Sequence, residues 1–475
     1  MTTSSTNSPV ADLLVELRRD GGEPLHRQLS AGIRDSIRTG RLRQGSALPP
    51  TRAIAAELGV SRGVVVEAYQ QLVAEGYLTS RTGGYTQVAI GPEPAQTPAE
   101  VAAGRPPRID FGYGRADVSQ FPRAAWLRSV RTVLTEAPSE RFGYLSGHGM
   151  PELREALADY LNRVRGTAAR PENVVICNGY AQGSALLMQV LAASGARRIA
   201  VEDPSAGDDA VPVAAGLGMS VVGVPVDECG VRVDELARSG ADAVILTPSH
   251  QWPTGGVLGA TARAGVLEWA ARTGALVIED DYDAEYRYDR SPVGAIQGLA
   301  PDLVAYAGSA SKTLAPGLRL GWLVLPARLS GPVAEAKIAA DRGAPAIDQL
   351  AFADFLTRGE FDRHLRRMRP VYRRRRDALL AALLRRLPDF VPTGKAAGQH
   401  LVAWLPPDLA EEAVVAAALR REVGVYGVAP YRFTSTGPAG LIFGYASLSD
   451  RAIAEGIDLL ADAVAEVRAD LLAPA

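Results

Sequence analysis

The sequence predicts an α/β body on a mostly parallel sheet flanked by helices, with a small α+β C-terminal subdomain and an N-terminal winged helix-turn-helix domain. Three observations predict it. Beyond residue 109, short runs apolar on both faces alternate with helical segments, the pattern of a buried parallel sheet. Before residue 88, two short helical periods meet at a glycine and lead into a Gly-Gly hairpin signal. Between them, residues 89–108 (AIGPEPAQTPAEVAAGRPPR) are rich in Pro and Ala and hold no run able to form a core face. At 475 residues the chain exceeds what one core organises. The expected divisions are a disordered tail over 1–19, the head over 20–88, a linker over 89–108, the large domain over 109–325 and the subdomain over 326–475.

Composition narrows the function classes. A net charge of −2 with 22% charged and 47% hydrophobic residues is ordinary globular usage, so any contact with nucleic acid has to come from a local patch. Cys177 and Cys229 make neither a disulfide framework nor a metal-ligand cluster, which predicts no metal site and a reducing, cytoplasmic setting. The start, MTTSSTNSPV, lacks the basic and apolar regions of a secretory signal. The uncharged run from Ala210 to Val226 is interrupted by Pro212, Gly216, Gly218 and Pro225, so no membrane segment is expected. Lysine is rare: only Lys312, Lys337 and Lys395 occur.

In the head, Thr51 to Leu58 reads as a helix with Ile54, Ala55 and Leu58 on one face, stopped by Gly59. Ser61 is placed to N-cap a second helix, in which Val65, Ala68, Tyr69 and Leu72 recur at helical spacing until Gly76. Two helices around a tight glycine turn make a helix-turn-helix, whose second helix enters the major groove at its start. Arg52, Ser61 and Arg62 are therefore candidate DNA contacts. The segment YLTSRTGGYTQV, Tyr77 to Val88, reads as the wing, adding Arg81, Gly83 and Gly84. On pattern alone the same residues also suit an amphipathic helix pair in any helical domain.

In the body the predicted strands are Val174–Ile176, Ile199–Val201, Ser220–Val222, Ala243–Leu246, Ala275–Ile278, Leu303–Tyr306 and Trp322–Leu325. Past Leu325 the pattern changes to long helices, one of them Arg-rich from Arg363 to Arg386, with short strands near Leu401 and Leu441. Three motifs fall just past strand ends, where open α/β sheets bind ligands. Ser309-Ala310-Ser311-Lys312, with Arg319 seven residues on, offers an amine for an aldehyde and groups for a phosphate, or else an exposed loop. Ile278-Glu279-Asp280-Asp281-Tyr282 brings carboxylates to a depth where a cationic partner such as a protonated pyridine nitrogen is needed. A metal-binding cluster or a solvated strand end reads the same. Asn178-Gly179-Tyr180-Ala181-Gln182 turns from strand into helix and aims backbone N–H groups at an anion, as many such turns do.

The run PLHRQLSAGIRDSIRTGRLRQGSALPPTRAIAAELGVSRGVVVEAYQQLVAEGYL resembles the winged helix-turn-helix of GntR-type regulators along its whole length. The body, through VEDP (Val201–Pro204), TPSHQWPTG (Thr247–Gly255), IEDDYDAEYRY (Ile278–Tyr288) and GSASKTLAPGLRLGW (Gly308–Trp322), resembles the aspartate-aminotransferase fold, fold type I, of pyridoxal-phosphate enzymes. Head and body together resemble MocR-type members of the GntR superfamily. The resemblance implies pyridoxal 5'-phosphate as cofactor and Lys312 as its Schiff-base lysine. It implies Asp280 on the pyridine nitrogen and Tyr282 on the ring oxygen. Ser309, Ser311, Arg319 and the backbone of Gly179, Tyr180 and Ala181 are implied on the phosphate. It further implies a double-stranded DNA operator, and a head-to-tail homodimer in which each head packs on the partner's body.

The sequence departs from that family at four places. Pro50 stands where a small hydroxyl residue is usual, and Val64 where threonine is; the lost threonine hydroxyl removes a candidate phosphate or base contact and leaves operator preference open. After VEDP, Ser205-Ala206-Gly207-Asp208-Asp209 lacks the aromatic residue beside the ring and the arginine after it; His250 and Trp252 are candidate replacements. Ile442 stands about where an arginine would fork onto a substrate carboxylate, and Arg432 in PYRF is a candidate substitute, or else a surface loop residue. These departures favour a regulator that senses pyridoxal phosphate itself, with at most residual half-reaction activity. The competing expectations are a regulator answering to an amino acid such as GABA and a free-standing aminotransferase.

Overall fold

A computed structural model describes residues 17–19, 22–80, 85–89, 106–205, 210–288, 293–433 and 437–472. Arg81, Gly83, Gly84 and the segment Ala206 to Asp209 lie outside the described residues. The chain divides into two compact units, Met1–Gly104 and Arg105–Ala475.

The first unit carries α1 (Leu25–Arg38), whose Leu29, Ile33 and Ile37, four residues apart, form one buried stripe. Helices α2 (Thr51–Glu57) and α3 (Arg62–Ala74) are joined through Gly59, whose φ of 62° favours a residue without a Cβ. A hairpin of β1 (Leu78–Ser80) and β2 (Thr86–Val88) follows, pairing Leu78 with Val88. Leu29, Ile33, Val65, Leu72, Leu78 and Val88 share one core, so helix-turn-helix and hairpin are a single packed unit. One expectation is corrected: Ser61 occupies the N-cap position of α3 in extended conformation, but its side chain makes no capping bond. The helix starts because the preceding turn and the buried Val65, Ala68 and Leu72 fix it, leaving Ser61 exposed beside Arg62; Arg52 on α2 is exposed as well.

The second unit opens with β3 (Ile109–Asp110), α4 (Arg123–Glu136) and α5 (Pro151–Arg165). Strands and helices then alternate: β4 (Val174–Cys177), α6 (Tyr180–Ala193), β5 (Arg198–Asp203), α7 (Ala210–Gly216), β6 (Ser220–Asp227), β7 (Gly230–Val231), α8 (Val233–Arg238), β8 (Ala243–Leu246), α9 (Ala260–Thr273), β9 (Leu276–Asp280), β10 (Val304–Ser309) and β11 (Gly321–Val324). The sheet order is β4-β11-β10-β9-β8-β5-β6-β7. Strands β6, β5, β8, β9 and β10 run parallel, while β11 is antiparallel to both β10 and β4. The continuous apolar runs have a direct cause. Val175, Ile199, Ile245 and Ile278 fill one face of the sheet with α6, and Ala200, Val244, Val277 and Val304 fill the other with Trp269 of α9.

Beyond the sheet come α10 (Ala327–Asp341), α11 (Ala346–Thr357) and the 27-residue α12 (Glu360–Arg386). Helix α10 packs on α6 and β4, and α11 on α4 and α5. Then follow β12 (Val391–Thr393), β13 (His400–Trp404), α13 (Glu411–Arg420), β14 (Val423–Gly424), β15 (Tyr426–Gly427), β16 (Gly440–Gly444) and α14 (Asp450–Leu472). Strands β12-β13-β16-β15 make an antiparallel sheet, and β14 pairs in parallel with β3. No helix among the described residues is long and apolar enough to cross a membrane.

All five tryptophans lie in the second unit, so their fluorescence reports on the body alone. Leu72 is fully buried in the head, and Leu72→Ala is expected to destabilise the head by about 2–5 kcal/mol. In urea, helical circular dichroism should show a separate early loss while the tryptophan midpoint stays in place; a common shift of both signals contradicts independent cores.

Candidate functional site

The carboxyl ends of several parallel strands meet at one cavity of about 400 Å³. Its walls include Tyr180 and Ala181 after β4, Glu202 and Ser205 at the end of β5, Thr247 after β8, Asp280 and Tyr282 from β9, and Ser309, Ser311, Lys312 and Arg319 after β10. Residues from all three sequence motifs therefore line the same space, although they are spread over 140 positions of chain.

The period of the strand separates the clustered carboxylates of β9. Glu279 turns inward from the cavity, wholly buried, and accepts from the backbone N–H groups of Ile296 and Gln297, each at 2.9 Å. Burial, aided by the neighbouring Asp281 charge, pushes its carboxyl up. Asp281 pairs with Arg165 at 2.7 Å and accepts from the Tyr306 hydroxyl at 2.8 Å, all deeply buried. Asp280, between them, faces the cavity. Two of the three acids thus hold the fold, and the middle one is presented to a ligand.

Lys312 stands in the turn after β10, with Nζ donating to the carbonyl of Gly114 at 2.8 Å and its own carbonyl accepting from Gln399 at 2.7 Å. The Ser309 hydroxyl donates to Ser311 Oγ at 2.8 Å and accepts from the Ser311 N–H at 3.0 Å, which folds both hydroxyls into one turn. Arg319 donates to the carbonyl of Asn178 at 2.6 Å. It thereby ties the Lys312 turn to the start of α6. Gly179, the N-cap of α6, has φ 85°, and a Cβ there would come within 3.0 Å of the Arg319 guanidinium. The positive φ favours glycine at this turn, and a side chain there would push the Arg319 guanidinium back.

Tyr282 is engaged on the far wall. Its hydroxyl lies 3.0 Å from His250 Nδ1 and 2.8 Å from the His250 carbonyl, while the same ring nitrogen is 3.0 Å from Asp283. The His400 ring is stacked near Tyr282 and meets the Pro253 carbonyl at 3.2 Å; burial pushes its pKa down to about 3, so it is neutral at ordinary pH. Glu202 accepts from Thr247 N and Oγ1 at 2.9 and 2.6 Å, and burial pushes its carboxyl up to about 7 against those hydrogen bonds.

The surroundings of Ile442 are closed. Ile442 is fully buried in a cluster with Trp252, Val402 and Val428, against which Tyr113, Tyr282 and Tyr431 pack. Trp252 meets the Tyr431 ring at 4.6 Å and the Tyr113 ring at 5.2 Å, and the Tyr113 and Tyr431 hydroxyls touch. Trp252 lines the cavity, whereas His250 sits behind Tyr282. Arg432 is turned away, donating to the Pro438 carbonyl and lying over Trp404.

Tyr113, Gly114, Glu202, Thr247, Gln399 and His400 also line the cavity, and none of them is given a role by the sequence motifs. Glu202 does lie inside VEDP, which is a usable signal. Tyr113 and His400 come from distant segments and carry no local pattern.

Residues 109–460 match the aminotransferase class I and II family, and residues 25–88 match the bacterial regulatory proteins of the gntR family. The probable rhizopine catabolism regulatory protein MocR of Rhizobium meliloti is 34% identical over 474 residues, covering 95% of this chain and 96% of that protein. The chain is a MocR-type member of the GntR superfamily. Another relative of this MocR-type regulator, the HTH-type pyridoxine biosynthesis transcriptional regulator PdxR of Corynebacterium glutamicum, is 30% identical and covers 96% of this chain and 99% of that protein. The body of the MocR-type regulator superposes on LysN, the alpha-aminoadipate aminotransferase of Thermus thermophilus solved with N-(5'-phosphopyridoxyl)-L-leucine. The TM-score is 0.69 at 28% identity, over 76% of this chain and 93% of that one.

The Glu202 carboxyl of this MocR-type regulator gives a pH prediction. Its folded-state pKa of about 7 lies above its ordinary 4.5, so the native state retains a proton in that window and loses stability as pH rises through it. Glu202→Gln should remove this pH dependence, shifting the stability gap between variant and wild type by up to about 3 kcal/mol between pH 5 and 8. Identical pH dependence of the two proteins in urea titrations would show that Glu202 stays ionised throughout.

Proposed function

We propose that this MocR-type regulator binds an operator through its head, and that its body holds pyridoxal 5'-phosphate as the ligand whose presence sets operator affinity. One observation carries the reading: an amine, a carboxylate, a helix start and a paired-hydroxyl turn with an arginine line a single cavity of about 400 Å³. This donor set fits the cofactor group by group. Lys312 would hold the aldehyde through its amine, Asp280 the ring nitrogen and Tyr282 the ring oxygen. Ser309, Ser311, Arg319 and the backbone of Gly179, Tyr180 and Ala181 would hold the phosphate. When bound, the cofactor supplies an aldehyde that combines reversibly with amines.

The apolar seal around Ile442 favours the cofactor itself as the sensed ligand. Ile442, Val402 and Val428 are fully buried behind Trp252 and Tyr113, so the position of Ile442 offers a substrate carboxylate no arginine to exchange for its hydration. Amino acids such as GABA are therefore poor effectors, and transamination is at most residual. In the head, Arg62, Ser61 and Arg52 are exposed and would contact DNA, with Arg81, Gly83 and Gly84 of the wing sequence beside the minor groove. The protein acts in the cytoplasm as a head-to-tail homodimer on duplex DNA.

The test is binding of wild type and Lys312→Ala to the upstream region of the protein's own gene and its divergent neighbour, with and without pyridoxal phosphate. The cofactor should change wild-type affinity and leave Lys312→Ala unmoved; equal affinities in all four conditions would sink the sensing model. An effect of GABA on wild type would replace it with an amino-acid sensor. Arg62→Ala should weaken binding and lower the slope of log K against log salt by about 1 if Arg62 meets a phosphate.

A further inference from the structure

Lys337 is wholly buried on α10, a costly place for an ammonium unless it is paired and hydrogen-bonded. Its Nζ donates to Asp341 Oδ2 at 2.7 Å and to Gln182 Oε1 at 2.9 Å. The same Asp341 oxygen accepts from Asn178 Nδ2 at 3.0 Å and Gln182 Nε2 at 2.6 Å, while Oδ1 accepts from the Gly343 N–H at 2.8 Å. Gln182 Oε1 also accepts from the Asn178 N–H at 2.8 Å. Asn178 is thus gripped at three points: its N–H by Gln182, its side-chain amide by Asp341 and its carbonyl by Arg319.

This grip has a consequence for the cavity. Gly179, Tyr180 and Ala181 follow directly, and no side chain caps the start of α6. The first-turn N–H groups of a helix have no intrahelical acceptor and attract an anion, but only if the turn that presents them is held in place. A mere staple between α10 and α6 would be made more cheaply by apolar side chains; an ion pair with two amides instead fixes direction. Lys337 and Asp341 cancel each other's charge, so Arg319 supplies the positive charge near the turn.

We infer that Lys337 and Asp341 are positioning residues that hold the Asn178 to Ala181 turn in the form that receives a phosphate ester, making the body selective for pyridoxal phosphate over pyridoxal. The inference rests on reading the cavity as the pyridoxal-phosphate site. It separates recognition of the phosphate, set from behind the turn, from capture of the aldehyde by Lys312.

The experiment measures equilibrium binding of pyridoxal phosphate and of pyridoxal to the full-length protein by absorbance, for wild type, Lys337→Met and Asp341→Asn. Both variants should lose about tenfold or more in affinity for pyridoxal phosphate, the cost seen when outer partners of metal ligands are removed, and less than about twofold for pyridoxal. Equal loss for both ligands means general damage to the site and overturns the inference, as does unchanged affinity for the phosphate ester. If Lys337→Met does not fold, Asp341→Asn, which keeps the shape, carries the same expectation. A wild-type protein that binds neither ligand overturns the cofactor reading itself.

Discussion

Charge brought into a protein interior has to be paired, and that constraint organises the body. Three consecutive acids, the last two residues of β9 and Asp281 just past it, lie at a depth where none is left to water alone. Glu279 is committed to the backbone of Ile296 and Gln297, and Asp281 to Arg165 and Tyr306. These commitments fix the register in which Asp280 alone is turned toward the cavity. Arg165 reaches from α5 and also donates to Ser249, so the same pair anchors the segment leading into His250 and Trp252. Removing either partner would leave a buried charge uncompensated and would disturb two walls of the cavity together.

A second paired system works at the opposite wall. Lys337, Asp341 and Gln182 hold the strand-to-helix turn from behind, and Arg319 holds it from the Lys312 side. The cavity is thus bounded by two buried polar networks and by an apolar, aromatic cluster around Ile442. Polar groups thus gather on the Asp280 and Arg319 sides of the cavity, and aromatic side chains, Trp252 and Tyr113, on the side of the Ile442 cluster.

Much of this is legible in the sequence. Strands buried on both faces leave apolar runs such as Val174 to Ile176 and Ala243 to Leu246, and these runs are strands β4 and β8. Which of the three acids after Ile278 faces the cavity is set by the partners that Glu279 and Asp281 find, Ile296, Gln297, Arg165 and Tyr306, all distant in sequence. The helix-turn-helix is readable because Val65, Ala68 and Leu72 carry the helical period and Gly59 marks the turn. The side-chain conformation of Ser61 is not, because local preference yields to the packing that already fixes the start of α3. Tyr113, Gly114 and His400 reach the cavity through tertiary contacts alone, and nothing within a few residues of them announces it. Lys337 is one of only three lysines in the sequence, and its ammonium is seen to be committed to Asp341 and Gln182 only in the structure.

In the proposed function one lysine of three, Lys312, anchors the ligand. The most direct measurement is reduction of the protein–pyridoxal phosphate mixture with borohydride, followed by proteolysis and mass spectrometry of the lysine-containing peptides. A phosphopyridoxyl group is expected on Lys312 and on no other lysine. A label on Lys337 or Lys395, or an unlabelled Lys312 after saturation, would contradict it.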